Sequence, residues 1–306
     1  MTIEPPQPSR CPVCRSNQTL SEYSSASLAV DRCASCEHRF ARHSPVVEAS
    51  DYYEHTPQSV QFVSSLEFTR RRQARLILSR FARHGKTSDW LDFGCGRGWF
   101  LDEARSRASG AIAGFDSSAL SRTWLRESGL LAAEPRTDDP FWPDWSSLPF
   151  SPRVVSFLDV IEHVAEGGAE RLLRRLHEEL PALEWIVLKV PASEGILYRT
   201  AHAIRNAFPG PYQQLHQVGT SPPHHHYFSQ RSLRTLIVNA GYVVVDLMLD
   251  HDVDNVFHRS GSLARLPGGA LLTRLIRLGP ADSVIMFARV GQHAKAGGPG
   301  SATPPT

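Results

Sequence analysis

Trp90-Leu91-Asp92-Phe93-Gly94-Cys95-Gly96-Arg97-Gly98 is the stretch that decides the fold. An apolar run ends at an acid, and three glycines then fall at alternate positions. Trp99-Phe100-Leu101-Asp102-Glu103-Ala104 follows with the composition of a helix start. A chain that turns sharply from strand to helix needs backbone angles that glycine adopts freely. Glycine also lets a ligand lie against the backbone, and the helix N-terminus adds N–H groups without intrahelical partners. The stretch therefore places a nucleotide-like pocket at the carboxyl end of a strand. A dinucleotide fingerprint reads G-x-G-x-x-G, whereas this one reads G-x-G-x-G. Alone, such a turn fits any α/β domain.

Outward from the turn, strand and helix patterns alternate, which favours a parallel sheet. Strands are predicted near 89–93, 111–115, 131–134, 153–158, 184–190, 242–249 and 282–290. Helices are predicted near 98–108, 118–128, 166–179 and 229–240. The last two strands read as a hairpin interrupted by Ser260 to Gly279, within which Leu271 to Ile276 reads as a short amphipathic helix. Upstream, Val60 to Phe81 carries a helical apolar stripe of Phe62, Val63, Leu66, Ala74, Ile77, Leu78 and Phe81. Arg70, Arg71, Arg72 and Arg75 mostly decorate its other side and read as a solvated face rather than a nucleic-acid patch.

The connection from 192 to 228 is long, as lids and binding loops often are. It holds Tyr198, His202, Phe208, Tyr212, His216 and His224 to His226, and is expected to cover the pocket.

The chain has 306 residues, 41% of them hydrophobic, enough for one large α/β domain and a small module. A net charge of +2, nearly all its cations arginine, gives no argument for nucleic acid. No apolar run approaches the ~18 residues of a membrane span. Met1-Thr2-Ile3-Glu4-Pro5-Pro6 lacks the regions of a signal peptide, so a soluble cytoplasmic protein is expected. The tail 292–306, rich in glycine and proline, reads as disordered.

Cys11-Pro12-Val13-Cys14 and Cys33-Ala34-Ser35-Cys36 form two C-x2-C pairs. In a cytosolic chain such pairs favour metal over disulfides. Zinc takes four thiolates tetrahedrally, and each pair presents two sulfurs to one ion. The gap can hold a short hairpin with Leu28-Ala29-Val30 in one strand. Residues 1–43 are read as a zinc ribbon with Cys11, Cys14, Cys33 and Cys36 as ligands. A redox pair or free thiols would not explain the repeated spacing. His38 and His43 are alternative ligands, but four cysteines suffice.

The glycine turn resembles motif I of the class I S-adenosylmethionine-dependent methyltransferases, and three further segments match in order. Ala111-Ile112-Ala113-Gly114-Phe115-Asp116 resembles that family's next strand with its terminal acid. Val154 to Val164, with Asp159-Val160-Ile161-Glu162-His163-Val164, resembles its later "DVIEHV" segment. His224-His225-His226-Tyr227-Phe228-Ser229 through Tyr242 resembles a late segment. The resemblance implies a Rossmann-like α/β fold over 44–291, with a seven-stranded, mostly parallel sheet and helices on both faces.

It also implies S-adenosylmethionine as cofactor. Gly94, Cys95, Gly96 and Gly98 would lie against it, with Cys95 as a small residue fitted to a crowded bend. Asp92 would help hold the amino-acid end. Asp116, beside Ser117, would accept from both ribose hydroxyls, since a carboxylate only accepts; a helix N-cap is the alternative role for Asp116. Asp138, or else Asp139, would reach the adenine amino group, with Trp142 stacking, and Asp159 would border the cofactor.

Methyl transfer needs alignment and, for a hydroxyl, removal of a proton. His163, His224 and His226 are the candidate catalytic histidines. Asp159, Glu162 and His163 at i, i+3 and i+4 resemble a set linked to a divalent ion in ubiquinone-pathway O-methyltransferases; capping and pocket shape are the alternative. A small-molecule or sugar acceptor, methylated on oxygen, is the expected reaction. An RNA methyltransferase reading RNA through the ribbon and a non-catalytic S-adenosylmethionine-binding module are the competing readings. No membrane partner is expected, and the ribbon could instead mediate a homodimer.

Overall fold

The computed structural model describes residues 10–44, 60–86, 88–139, 141–165, 167–220, 222–251 and 278–291. Most of the segment 260–279, with its expected helix, and the tail 292–306 lie outside these residues.

The central sheet has six strands: β4 (Trp90–Phe93), β5 (Ile112–Phe115), β6 (Val154–Leu158), β7 (Trp185–Pro191), β9 (Tyr242–Asp250) and β10 (Ser283–Val290). Their order is β5-β4-β6-β7-β10-β9. The first four are parallel, and β10 runs antiparallel to both β7 and β9. The expected hairpin of the last two strands is therefore present. The expected strand at 131–134 is reduced to one parallel bridge from Leu131 to Gly114. Pro135 follows at once, and proline cannot donate to a ladder. The chain instead turns toward a bridge between Pro135 and Pro143.

Alternation along the strands fills both faces. Trp90, Val154, Trp185, Val187, Ile285 and Phe287 pack on one side, against Ala74, Ile77, Leu78 and Phe81 of α1 (Val60–Phe81) and Phe100 and Leu101 of α2 (Trp99–Arg105). On this side Leu125 of α3 (Ala119–Glu127) completes the cluster. Leu91, Phe93, Val155, Phe157, Ile186 and Leu188 face the other side, against α4 (Gly168–Glu179) and α7 (Gln230–Asn239). A reciprocal capping box of Ser229 and Ser232 starts α7. The arginines of α1 hold acids of the domain: Arg71 bonds Glu67 and Asp102, Arg72 bonds Asp250, Arg75 bonds Glu103 and Arg80 bonds Asp246.

The N-terminal region forms a second sheet of β1 (Thr19–Ser24), β2 (Leu28–Cys33) and β3 (Arg39–His43). Its fourth strand comes from far downstream. β3 pairs with β8 (His226–Tyr227), Arg39 opposite Tyr227 and Phe40 opposite His226. Cys11, Val13, Cys33 and Cys36 belong to the same apolar cluster as α4 and α7. The cysteine region is therefore built into the body of the protein.

The connection 192–228 holds α5 (Ile196–Ile204) and α6 (Pro209–Leu215). Its Tyr198 and Tyr212 are fully buried with Tyr227 and with Leu28, Val30 and Ala41 of the N-terminal sheet. Tyr23 and His216 pack edge-on against Tyr212. These aromatic residues fill the junction between insertion and N-terminal sheet. An apolar seam between two small layers needs that volume, so they are core rather than pocket lining.

Candidate active site

Between β4 and α2 the three glycines of the turn take φ of 73°, 55° and 75°. A Cβ on Gly94 would stand 2.5 Å from Val160 Cγ2, so the position excludes any side chain. The turn is tied to the end of β5. Gly94 N donates to the Phe115 carbonyl at 2.7 Å, and Gly96 N donates to Asp116 Oδ2 at 2.8 Å. Ser118 N donates to Asp116 Oδ1 at 2.9 Å. The cap of α3 falls to Ser118, whose hydroxyl accepts from Ser121 N. Asp116 is thus held by two backbone amides, and as a carboxylate it can only accept. Ser117 is exposed beside it.

Cys95 lies over the neighbouring strand. A Cβ on Gly114 would stand 2.5 Å from the Cys95 sulfur. Burial, with Asp116 and Asp92 nearby, pushes the Cys95 thiol well up, so it is neutral packing and not a nucleophile. Asp92 is buried and accepts from the Ser156 hydroxyl, which accepts from Trp90 Nε1 at 2.9 Å. Burial raises Asp92 to about 7. A carboxyl in that position gains from a cation placed beside it.

These residues fit S-adenosylmethionine. A side-chain-free bend lies next to an acceptor-only carboxylate suited to a diol, and a buried acid that a ligand ammonium would ionise stands beside them.

Asp159 follows β6 in a left-handed conformation, φ 57°. Its carboxylate takes Lys189 Nζ at 2.7 and 2.8 Å, and also Arg70 of α1. Lys189, fully buried near the end of β7, was not singled out from sequence, although a lysine inside Trp185-Ile186-Val187-Leu188-Lys189-Val190 is a visible irregularity. Arg70 was read as part of a solvated face. Asp159 is thereby committed to an ion-paired triad and does not converge with Glu162 and His163. Asp138 is exposed and paired with Arg136, and Asp139 pairs with Arg175. Trp142 is buried against Phe93 and donates to Glu179, which leaves no face for a base to stack on.

Glu162 and His163 lie on a 3₁₀ turn, Ile161–His163, directly after β6. His224 comes from the segment leading into β8. One ligand atom from each of Glu162, His163 and His224 lies within 4.8 Å of the other two. The two imidazole centroids are 4.6 Å apart. His163 Nδ1 donates to the Pro223 carbonyl at 3.0 Å, which leaves the lone pair on Nε2. Burial lowers His163 to about 4, so it is neutral near pH 7.

His226 sits elsewhere. Its Nε2 donates to the Val164 carbonyl at 2.9 Å, and its Nδ1 faces His38 Nε2 at 3.0 Å. Both nitrogens are engaged, so His226 holds the turn and is not placed to take a proton. His38 was considered as a metal ligand; it is fully buried and serves as the donor to His226. Nothing in the local sequence reveals that pairing, because its partner is 188 residues away.

The four cysteines converge. Cys11 and Cys36 sulfurs are 3.6 Å apart, and Cys14 and Cys33 are 3.5 Å apart. The edge of a tetrahedron with ~2.3 Å metal–sulfur bonds is about 3.8 Å. The two turns are alike: Arg15 N donates to Cys11 O and Glu37 N to Cys33 O, with Arg15 and Glu37 at φ 61° and 64°. The four sulfurs are grouped closely enough to hold one metal ion, and of the four residues Cys33 ends strand β2 of the antiparallel sheet.

The family model that matches, described as a methyltransferase domain, spans residues 66–247. The chain belongs to the methyltransferase-domain family. It is accordingly an S-adenosylmethionine-dependent methyltransferase. No curated protein matches it. Among solved structures it is similar to magnesium protoporphyrin IX methyltransferase from Synechocystis PCC 6803, at 16% identity over 74% of this chain and 86% of that one, TM-score 0.47. It is also similar to the cyclopropane synthase MmaA2 from Mycobacterium tuberculosis, at 12% identity over 79% and 90%, TM-score 0.49. Geranyl diphosphate C-methyltransferase from Streptomyces coelicolor A3(2) shows 16% identity over 74% and 82%, TM-score 0.45. Likeness of this degree carries nothing about the acceptor. Among the described residues no helix is long and apolar enough to cross a membrane.

Proposed function

We propose that this methyltransferase acts on a hydroxyl of a small molecule or sugar. One observation carries the cofactor half of the reading: Asp116, pinned by the Gly96 amide, sits where a ribose diol would meet a bend without side chains. When bound, S-adenosylmethionine supplies an electrophilic methyl group on sulfur. Asp116 and Ser117 would hold the ribose, and Gly94, Cys95, Gly96 and Gly98 would shape the wall. Asp92 would pair with the amino-acid end. Glu162, His163 and His224 form the polar floor of the acceptor side. There, the Nε2 lone pair of His163 can orient a hydroxyl and receive its hydrogen bond.

The cysteines are assigned a structural zinc ion, and residues 1–43 a ribbon that positions β8 and hence His224 to His226. The remaining chain, 44–291, would form the catalytic domain, with 192–228 as a cover.

The RNA reading finds less support. Four arginines of the N-terminal region pair with acids of the chain: Arg15 with Glu170, Arg32 and Arg39 with Glu22, Arg42 with Asp31. A surface that reads phosphates keeps such cations available.

The test has two parts. Calorimetry with zinc-loaded protein should register S-adenosylhomocysteine binding. Tritiated methyl groups should then enter a small-molecule extract. Label found only in RNA would overturn the acceptor class, and absence of binding would overturn the whole reading.

A further inference from the structure

Arginine dominates the cations of this chain, but its pairing differs between the two faces of the central sheet. On one face the guanidinium groups are spent on acids of the chain. Arg70, Arg71, Arg72, Arg75 and Arg80 of α1, and Arg122 and Arg126 of α3, all hold carboxylates. On the other face α4 packs beside α7. There Arg171 of α4, Arg231 and Arg234 of α7, and the neighbouring Arg10 are exposed and form no ion pair among the described residues.

These cations share one surface. Arg10 Nε donates to the Arg15 carbonyl at 2.5 Å, and Arg15 donates to both oxygens of Glu170 at 3.1 and 3.2 Å. Arg174 donates to Glu170 at 2.9 Å and to the Asn239 carbonyl at the end of α7. Asn239 Nδ2 in turn donates to the Val13 carbonyl at 3.0 Å. The first cysteine turn, α4 and α7 are thus stitched into one wall. Helical periodicity fixes what that wall presents. Leu173 and Leu176 face the core from α4, which leaves Arg171 and Arg174 outward. Leu233, Leu236 and Ile237 do the same in α7, which leaves Arg231, Arg234 and Val238 outward. Three described acids stand among the arginines. Glu170 is buried and shared by Arg15 and Arg174, Glu194 accepts from Gln230 N at 3.1 Å, and Glu178 lies in the last turn of α4.

An excess of cations attracts anions, and three features select protein carboxylates over phosphates or lipid. The arginines rise from convex helix surfaces and line no groove. None of the outward side chains is aromatic, so a nucleic-acid base has nothing to stack on and a bilayer has no ring to take up. Val238, 55% exposed beside Arg234, suits contact with side chains, where guanidinium groups grip carboxylates through paired hydrogen bonds.

We propose that α4 and α7 dock an acidic helix of a partner protein, whose carboxylates, one turn apart, meet Arg171, Arg174, Arg231 and Arg234. α4 follows the turn that carries His163, and α7 follows the segment that carries His224. A partner seated here therefore stands beside the acceptor side of the site. Delivery of the acceptor by that partner is a consequence that rests on the methyl-transfer reading; docking itself does not.

The full zinc-loaded chain is titrated into a fluorescein-labelled, stapled helical peptide with glutamates at i, i+3, i+4 and i+7, and anisotropy is read at about 0.15 M salt. Saturable one-to-one binding is expected. A peptide of the same composition with its glutamates spread round the helix should bind about fivefold or more weakly, because unspecific attraction is largely screened at that salt. Arg171→Glu, Arg231→Glu and Arg234→Glu together should weaken the first peptide about tenfold or more. Arg83→Glu with Arg199→Glu, exposed arginines outside this wall, should leave it within about twofold. Equal affinity for both peptides, indifference to the triple change, or displacement of the peptide by a single-stranded RNA oligonucleotide or by phosphatidylglycerol vesicles would overturn the proposal. If the triple variant fails to retain zinc and fold, hydrogen exchange on the unaltered chain decides: the peptide should protect amides of 168–179 and 230–239, and protection confined to other segments would sink the assignment. S-adenosylhomocysteine calorimetry on the same sample separates the two readings, since binding of the nucleoside without binding of the peptide refutes only the docking surface.

Discussion

The glycine turn and the cysteine module are each marked by a short spacing of one residue type, yet they act over different distances. The turn does its work within its own neighbourhood. Gly94, Gly96 and Asp116 are bonded to one another through adjacent strands, and the ligand they suit follows from them. The module gathers four sulfurs locally but exerts its effect on residues 224–227, through β3, His38 and His43. A local signature reveals a local site. It does not reveal what that site holds in place elsewhere.

The largest expected effect would break this comparison outright. If the four cysteines hold the zinc ion proposed above, replacing Cys14 by serine, or removing that ion with a strong chelator, should abolish turnover, because a module of this size folds with its ion. Affinity for S-adenosylhomocysteine should stay within about threefold, under ~1 kcal/mol. Calorimetry beside a turnover assay reads both. Equal loss of binding would show that the two regions do not act separately.

Next in size, Asp116→Ala should weaken the same affinity by about a hundredfold or more, since hydrogen bonds to a charged group contribute roughly 1.5–3 kcal/mol each. Zinc content should not change. A loss below about tenfold would mean that the turn, not the carboxylate, dominates recognition.

A third test uses pH. Burial raises Asp92 to about 7, so it is protonated below that pH in the free protein. A ligand ammonium favours the ionised form. Affinity should therefore rise with pH up to about 7, by at most about tenfold per unit, and then level. Asp92→Asn should flatten the profile. The stability contribution has the opposite sign. Between the usual carboxylate value near 4 and about 7 the folded state holds the proton, so this group's contribution falls as pH rises.

The smallest effect belongs to the link itself. His38→Leu leaves His226 Nδ1 without its donor and should cost about 1–3 kcal/mol, or a few degrees of melting temperature. Burial lowers His226 to about 4 and His216 to about 3. Both fold as neutral rings, so their contribution is present above pH ~6.5 and lost as pH falls toward those values. Melting curves from pH 5 to 8 would show whether the variant blunts that decline.

Much of this was legible in the sequence because it obeys short-range rules. The glycine spacing, the acid after Phe115 and the 22-residue helix at Val60–Phe81 each depend on periodicity or on neighbours a few positions away. The strand expected at 131–134 failed because propensity does not register that Pro135 ends the ladder. The aromatic residues of 192–228 looked like pocket lining because composition does not say which surface a ring will meet. Tyr198 and Tyr212 met the N-terminal sheet instead. The commitment of Asp159 to Lys189 and Arg70 was hidden for the same reason: each partner lies on a separate element, and i, i+3, i+4 spacing predicts convergence only along a single helix.

The pairing of β3 with β8 has a consequence for synthesis. The cysteine module leaves the ribosome before β8 does, with its outer strand open and His38 awaiting a partner 188 positions downstream. At ordinary elongation speeds that interval is on the order of 10–40 s. An unpaired edge invites strand exchange with another nascent chain. Crowded expression should therefore yield interlocked dimers in which strands β1 to β3 of each molecule pair with β8 of the other, and slower, cooler production should favour the monomer.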